Sequence, residues 1–338
     1  MPEEQGSSPP HAAPWSNSPN GLIAQINQSE ARGAPCEWCA VSLLRPMIES
    51  LAARLAARKF VVTGELTPPK GTDLTKLFAT AELLRHCVDA INVTESPRAR
   101  MAMDPRAVAL LLQQRGFETI VQITSRDRNR IAIQSDLLGA AALGLRNFVF
   151  MGGDSTAGGD HPEAKPVFDL TASGLLAAAE ALRNGRDLSG NQLLGTPDLF
   201  LGATCNPGAL NFDAEVENTR RKIDAGAKLL QTQAVYHADP LRRFIDAVKP
   251  DGVAILAGVI PLKSEKSGAW LNANLPGVVV PADMLEAMEQ AAKAGVVRER
   301  GIELAARVIQ EVRPHCQGVH VMAIGLEAEV PEILRMAT

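Results

Sequence analysis

Three polar side chains stand where apolar runs end, and their types suit proton and charge chemistry. Glu65 follows Phe60-Val61-Val62-Thr63-Gly64, a β-branched run stopped by Pro68 and Pro69. Such a run reads as a buried strand, and proline cannot donate to a ladder. A carboxylate at its end loses hydration, which disfavours the charged form and raises its expected pKa. A carboxyl that stays protonated is what a general acid needs. A satisfied, partly exposed strand-end glutamate is the plainer reading, and burial statistics favour it for Glu65 taken alone.

Asp154 follows the apolar run Asn147–Met151 and two glycines, Gly152-Gly153. Glycines at that point let backbone approach a ligand closely. A plain Gly-Gly-Asp turn fits equally well. No Gly-x-Gly-x-x-Gly opens a helix there, so the dinucleotide fingerprint is absent. Gln233 ends the run Leu229–Gln233, which follows Lys222-Ile223-Asp224-Ala225-Gly226-Ala227. Gly226 suits a helix C-terminus. The Gln233 amide can give and accept one hydrogen bond each at a heteroaromatic ring edge. A surface glutamine is the equal alternative.

Other chemistry is thinly represented. Cys36 and Cys39 form a lone Cys-x-x-Cys. A structural zinc site needs four ligands, and no second pair follows at finger spacing. Two inert cysteines is the plain reading; a half-site completed by a partner subunit or by distant Cys or His is the other. Histidines 11, 86, 161, 237, 315 and 320 show no metal-ligand spacing, and no Ser/His/Asp arrangement is visible. No metal site is therefore expected beyond that half-site.

The elements that must carry these residues are legible from pattern. The chain has 338 residues, 46% hydrophobic and 21% charged, enough for a sizeable core. A net charge of −4 and the lack of a basic stripe argue against a nucleic-acid partner. No apolar run reaches membrane-spanning length, and the N-terminus lacks signal-peptide order, so a cytoplasmic location is expected. Five scattered cysteines do not form a disulfide framework.

Residues 1–42 are polar and rich in Ser, Pro, Asn and Gly, which predicts a disordered or docking tail. Apolar positions from Leu43 to Leu55 predict an extra amphipathic helix over 43–58. Strands are predicted at 60–66, 88–94, 118–124, 146–151, 198–204, 228–235, 253–260 and 317–323. Helical patterns fall at 73–86, 104–115, 129–144, 170–184, 213–226, 239–248, 281–295, 298–313 and 326–336. Eight alternating strands imply parallel pairing, as a closed (β/α)₈ barrel or an open doubly wound sheet. Polar residues end seven strands: Glu65, Thr94-Glu95, Thr124–Asp127, Gly152–Asp154, Thr204–Asn206, Gln231–Gln233 and Pro261–Lys263. A barrel gathers chemistry at all strand ends, whereas an open sheet gathers it at one crevice. An α/β TIM barrel over 43–338 is the expected architecture.

Several of these segments together resemble the flavin-dependent methylenetetrahydrofolate reductases. The resemblance covers about 60–335. It rests on Gly64–Pro69, Asn92-Val93-Thr94, Thr124–Asp127, Gly152–Asp154, Lys222–Ala227 with Thr232-Gln233, Gly258–Pro261 and Val280-Pro281. It implies a barrel with FAD (FMN being the alternative) at the strand C-termini. It implies reduction of 5,10-methylenetetrahydrofolate to 5-methyltetrahydrofolate, an oxidoreductase step in one-carbon metabolism and methionine supply. Glu65 then matches the general acid for the leaving nitrogen, and Asp154 the carboxylate that steadies the cationic iminium. Reduced flavin delivers hydride to the iminium carbon. Gln233 matches a substrate contact, alongside Glu65 and Asp154. Thr94, Gln122, Asp127, Gly153, Asp154, Thr204, Asn206, Glu215 and Lys222 match the flavin-binding positions.

Departures from the family pattern bear on the electron donor. Gly152 stands for a frequent Arg, Asn206 for an aromatic and Leu210 for a histidine. Ala234-Val235-Tyr236 replaces an aromatic-rich stretch, and about Met288 replaces a stacking aromatic. These leave NAD(P)H in question and point to a branch that takes electrons from a partner protein. A homo-oligomer is expected. The rival readings are a barrel flavoprotein for another pterin or methyl donor, a flavin-bearing electron-transfer or methyl-oxidising subunit of a complex, and a flavin-free barrel lyase.

Overall fold

The apolar runs pair edge to edge in chain order, and the last returns to the first. The computed structural model describes residues 49–337. Strands β1 (Val61–Leu66), β2 (Ala90–Val93), β3 (Thr119–Thr124), β4 (Asn147–Met151), β5 (Phe200–Cys205), β6 (Leu229–Ala234), β7 (Ala254–Val259) and β8 (Gly318–Val321) form a closed, all-parallel barrel. Closure is set by the β1–β8 register, which aligns Thr63 with His320. The open-sheet alternative is thereby excluded. Cys36, Cys39, the tail and the first part of the expected 43–58 helix lie outside the described residues.

Helices α1 (Leu51–Ala56), α2 (Thr75–Leu84), α3 (Pro105–Gln114), α4 (Arg130–Ala142), α5 (Ala172–Arg183), α6 (Phe212–Asp224) and α7 (Ala238–Val248) come in the expected order. Many start where a side chain satisfies an orphan amide. Ser50, Asp104, Asn129, Thr171 and Asn211 accept from the first-turn N–H groups of α1, α3, α4, α5 and α6. Pro105 adds a preset φ at the first position of α3.

The connection from β7 to β8 is a correction. It carries α8 (Glu265–Asn274), α9 (Ala282–Ala294) and α10 (Val297–Val312), and α8 lies in a stretch read without a helix. A capping box between Ser264 and Ser267 starts it. Only Gly268 and Leu271 of α8 are buried, so it shows no apolar stripe. α11 (Val330–Ala337) closes the chain against α10.

Alternation along the strands divides the core. The outward faces pack on the helices as one large cluster that includes Phe148, Phe150, Leu201, Ile255 and Val319. The inward faces form a second, smaller cluster: Val61, Ala90, Ile120, Val149, Leu229 and Leu256. Leu51 and Leu55 of α1 pack into it and close the N-terminal end of the barrel. Glu118 ties this plug down, accepting from Leu51 N at 3.2 Å and Asn147 Nδ2 at 2.9 Å. Further along β1, β2, β3, β6 and β8 the inward face turns polar, with Thr63, Asn92, Gln122, Gln231 and His320 all buried.

Candidate active site

The inward polar residues converge on Glu65. Gln122 Nε2 donates to Glu65 Oε2 at 3.0 Å, and His320 Nε2 lies 3.3 Å from the same oxygen. His320 Nδ1 lies 2.9 Å from Thr63 Oγ1 and 3.3 Å from Asn92 Nδ2. Glu65 Oε1 has no hydrogen-bond partner among the described residues. The Glu65 side chain is 21% exposed while that of His320 is 4% exposed. The carboxyl thus sits at the border between the sealed interior and the open mouth. It is less dry than its strand position suggested.

His320, Asn92 and Thr63 were not picked out as site residues from sequence. A lone histidine in an apolar strand reads as core, and only closure of the barrel brings it to a glutamate 255 positions away. Gln122, matched to a flavin-binding position, donates one amide N–H to Glu65.

Asp154 lies exposed beyond β4, and its Oδ2 accepts from Arg98 N at 2.7 Å. It holds one backbone amide, not several. That amide belongs to a strained loop: Ser96, Arg98 and Ala99 all have left-handed φ, at 39°, 58° and 53°. Arg126 Nη2 donates to Ser96 O, and Asp160 accepts from Met101 N at 3.0 Å. Lys70 pairs with Asp160, which holds that carboxyl down at about 2. Asp127 is exposed and taken up by the Arg126 guanidinium, which donates to both its oxygens. Gly153 takes φ +91°, and a Cβ there would meet Thr124 Cβ at 3.0 Å.

Thr204, Asn206, Glu215 and Lys222 form one knot at the end of β5. Glu215 Oε1 accepts from Asn206 N at 3.0 Å, and Lys222 Nζ donates to Thr204 O at 2.7 Å. Lys222 is buried 4.0 Å from Glu215, so its charge is balanced inside the knot. Asn206 Nδ2 reaches across to Pro276 O at 2.9 Å. Thr94 Oγ1 donates to Thr67 Oγ1 at 3.1 Å.

Gln233 sits at a register shift between β6 and β7, where its Oε1 accepts from Ala234 N at 3.0 Å. Its Nε2 has no partner among the described residues. Two positions earlier, the buried Gln231 amide has neither its donor nor its acceptor engaged among the described residues, and neither has the Thr124 hydroxyl. Met288 is fully buried in α9, and Tyr236 is buried with its hydroxyl on Ile260 O, so neither offers an open stacking face. Glu95 is committed elsewhere: it is buried against Arg128 and accepts from Thr124 N. Among the described residues no cluster of three or more His, Cys, Asp or Glu could hold a metal ion, and no helix is long and apolar enough to cross a membrane.

A family model described as methylenetetrahydrofolate reductase matches residues 50–338. The chain belongs to the methylenetetrahydrofolate reductase family. Its similarity to curated members of the methylenetetrahydrofolate reductase family is distant. It is 24% identical over 237 residues to a probable methylenetetrahydrofolate reductase (NADPH) of Caenorhabditis elegans, covering 67% of this chain and 33% of that one. It is 22% identical over 302 residues to a probable methylenetetrahydrofolate reductase (NADH) of Oryza sativa, covering 85% of this chain and 50% of the relative. The chain therefore spans a third to a half of the length of these relatives. Among solved structures, an uncharacterized Clostridium thermocellum protein that binds two copies of 5-methyl-5,6,7,8-tetrahydrofolic acid superposes with a TM-score of 0.59 at 16% identity. The match covers 85% of this chain and 97% of that protein, a likeness of fold. The described residues of this family member form one barrel, with Glu65 and Gln233 near the C-terminal ends of β1 and β6 and Asp154 just beyond β4.

Proposed function

We propose that this chain reduces the methylene carbon bridging two nitrogens of methylenetetrahydrofolate to a methyl group. The observation that carries this reading is the state of Glu65. One carboxyl oxygen is anchored by Gln122 and lies beside His320, and the other is unpartnered at the mouth of a barrel of this family. Opening the bridged ring requires a proton on the leaving nitrogen. Glu65, as the acid, supplies it from Oε1 and is left as a carboxylate.

Ring opening leaves positive charge on the substrate. Asp154, steadied by the Arg98 amide, supplies the fixed negative charge that offsets it. The Gln233 amide, with Nε2 unengaged, orients the substrate ring edge. The residues also fit a flavin. Gln231 offers a buried donor and acceptor, and Thr124 a buried hydroxyl, all unpartnered among the described residues. Thr94, Gln122, Asp127, Gly153, Asp154, Thr204, Asn206, Glu215 and Lys222 lie on the adjacent arc from β2 to α6 and are the residues that would hold it. When bound, reduced FAD supplies the hydride.

The test compares the full chain with its Glu65→Gln variant. The variant is expected to bind flavin and to pass electrons to artificial acceptors as the parent does. Its reduction of methylenetetrahydrofolate should fall roughly 10²–10⁴-fold. A variant that reduces the folate at the parent rate overturns the reading, as does a parent whose absorbance spectrum shows no flavin after incubation with FAD or FMN.

A further inference from the structure

We infer that His320 is a positioning residue that decides which oxygen of Glu65 carries the proton. The inference rests on the folate-reducing reading for its catalytic consequence, but its geometry stands apart from it. Asn92 Nδ2 can only donate, and it lies 3.3 Å from His320 Nδ1. Thr63 Oγ1 lies 2.9 Å from the same nitrogen and can turn its hydroxyl toward it. With both groups donating, as the inference requires, Nδ1 is the acceptor of the ring. The single proton of a neutral imidazole is then on Nε2, the atom that faces Glu65 Oε2 at 3.3 Å.

Glu65 Oε2 therefore receives two N–H donors, from His320 and from Gln122 at 3.0 Å. A proton on the Glu65 carboxyl has no room on that oxygen and takes Oε1. That is the oxygen with no partner among the described residues, at the exposed end of the side chain. The imidazole thus turns a symmetric carboxyl into an acid with one working end. When Oε1 gives its proton to the leaving nitrogen, the new carboxylate finds both donors already in place on Oε2. No side chain has to reorganise at that moment. His320 touches neither Oε1 nor the mouth, so it acts through Glu65. Thr63 and Asn92, both buried, hold the ring itself.

The geometry of the amide side chains gives a test. The terminal nitrogen of glutamine can occupy the place of an imidazole Nε2, whereas asparagine reaches only to the place of Nδ1. His320→Asn should lower kcat for methylenetetrahydrofolate reduction about 10²-fold, the cost of a misplaced reacting group. Its KM for the folate and its flavin content should stay near those of the parent. His320→Gln should restore most of the lost turnover. If both variants turn over as the parent does, or if both lose turnover equally, the inference is overturned.

A second measurement does not depend on turnover or on the stability of the His320 variants. In the ¹⁵N-histidine spectrum of the full chain, the His320 ring should show its proton on Nε2 and an accepting Nδ1. Those resonances should move in Glu65→Gln. A ring with its proton on Nδ1 overturns the inference even if the folate reaction proceeds. A parent chain that does not reduce the folate would sink the functional reading alone and leave the tautomer to decide this one.

Discussion

Arg98 and Trp270 meet across the mouth of the barrel, with the guanidinium carbon 5.2 Å from the indole ring centre. Arg98 follows β2 and Trp270 lies on α8 after β7, so the pair spans the ends of β8 and β1. His320 and Glu65 lie on those two strands. The Asn206–Pro276 hydrogen bond ties the same connection to the end of β5. The α8 region is thus pinned at two places on the rim. An exposed cation–π pair contributes about 0.5–1 kcal/mol, so Trp270→Ala should shift chemical-denaturation stability by no more than that. The KM for methylenetetrahydrofolate should rise, with kcat little changed. A large loss of stability with an unchanged KM would show that Trp270 serves the fold and not the entrance.

The buried Glu95 pairs with the half-buried Arg128, and the network continues through Asp136 to Arg106 and Asp104. Arg106 is held well above the ordinary arginine range by its bond to Asp104, with Asp136 adding to it. The Glu95 side chain is 4% exposed, so removing its partner leaves a charge stranded in the protein. Arg128→Met should cost roughly 3–5 kcal/mol, read as a lowered urea midpoint. Replacing both residues with apolar ones of similar volume should recover much of that loss. A near-neutral Arg128→Met would mean that Glu95 finds water or another donor.

The rim has its own pH limit. Asp160 is held down to about 2 by its bond to Lys70 first and by the Met101 amide second. A carboxylate whose folded value is depressed stabilises the folded arrangement above its ordinary value of 3.8. That stabilisation is lost as pH falls toward 2. Exchange of the Met101 amide with deuterium should therefore stay slow, relative to intrinsic rates, down to about pH 4 and accelerate below it. Asp160→Asn should show the faster exchange at every pH. Equal protection in both proteins would remove Asp160 as the clamp on the 96–101 loop.

The barrel was legible in the sequence because short apolar stretches, Phe148–Met151 and Ala254–Val259 among them, recur between helical patterns, even where a strand carries an inward polar residue. The placement of Glu65 and Gln233 at strand ends, and of Asp154 two glycines beyond β4, was legible because each follows such a stretch; their roles are part of the proposal. Helix α8 was not: it buries little and contains Ser267 and Gly268, so its only local signal was the Ser264/Ser267 cap. His320 was hidden for a different reason. Its chemistry lies in its neighbours Thr63, Asn92 and Glu65, and the neighbourhood comes into being when β8 joins β1. Lys222, matched to a flavin-binding position, is buried with its Nζ on Thr204 O and 4.0 Å from Glu215, contacts that no local pattern announced.

Leu51 and Leu55 give the barrel a floor, and a vessel with a floor has a single doorway. On the folate-reducing reading proposed above, the electron source and the one-carbon carrier share the mouth opposite that floor. If the two cannot occupy that mouth together, each departs before the next reaches the centre. Initial-rate plots at several fixed concentrations of one visitor should then run parallel instead of converging.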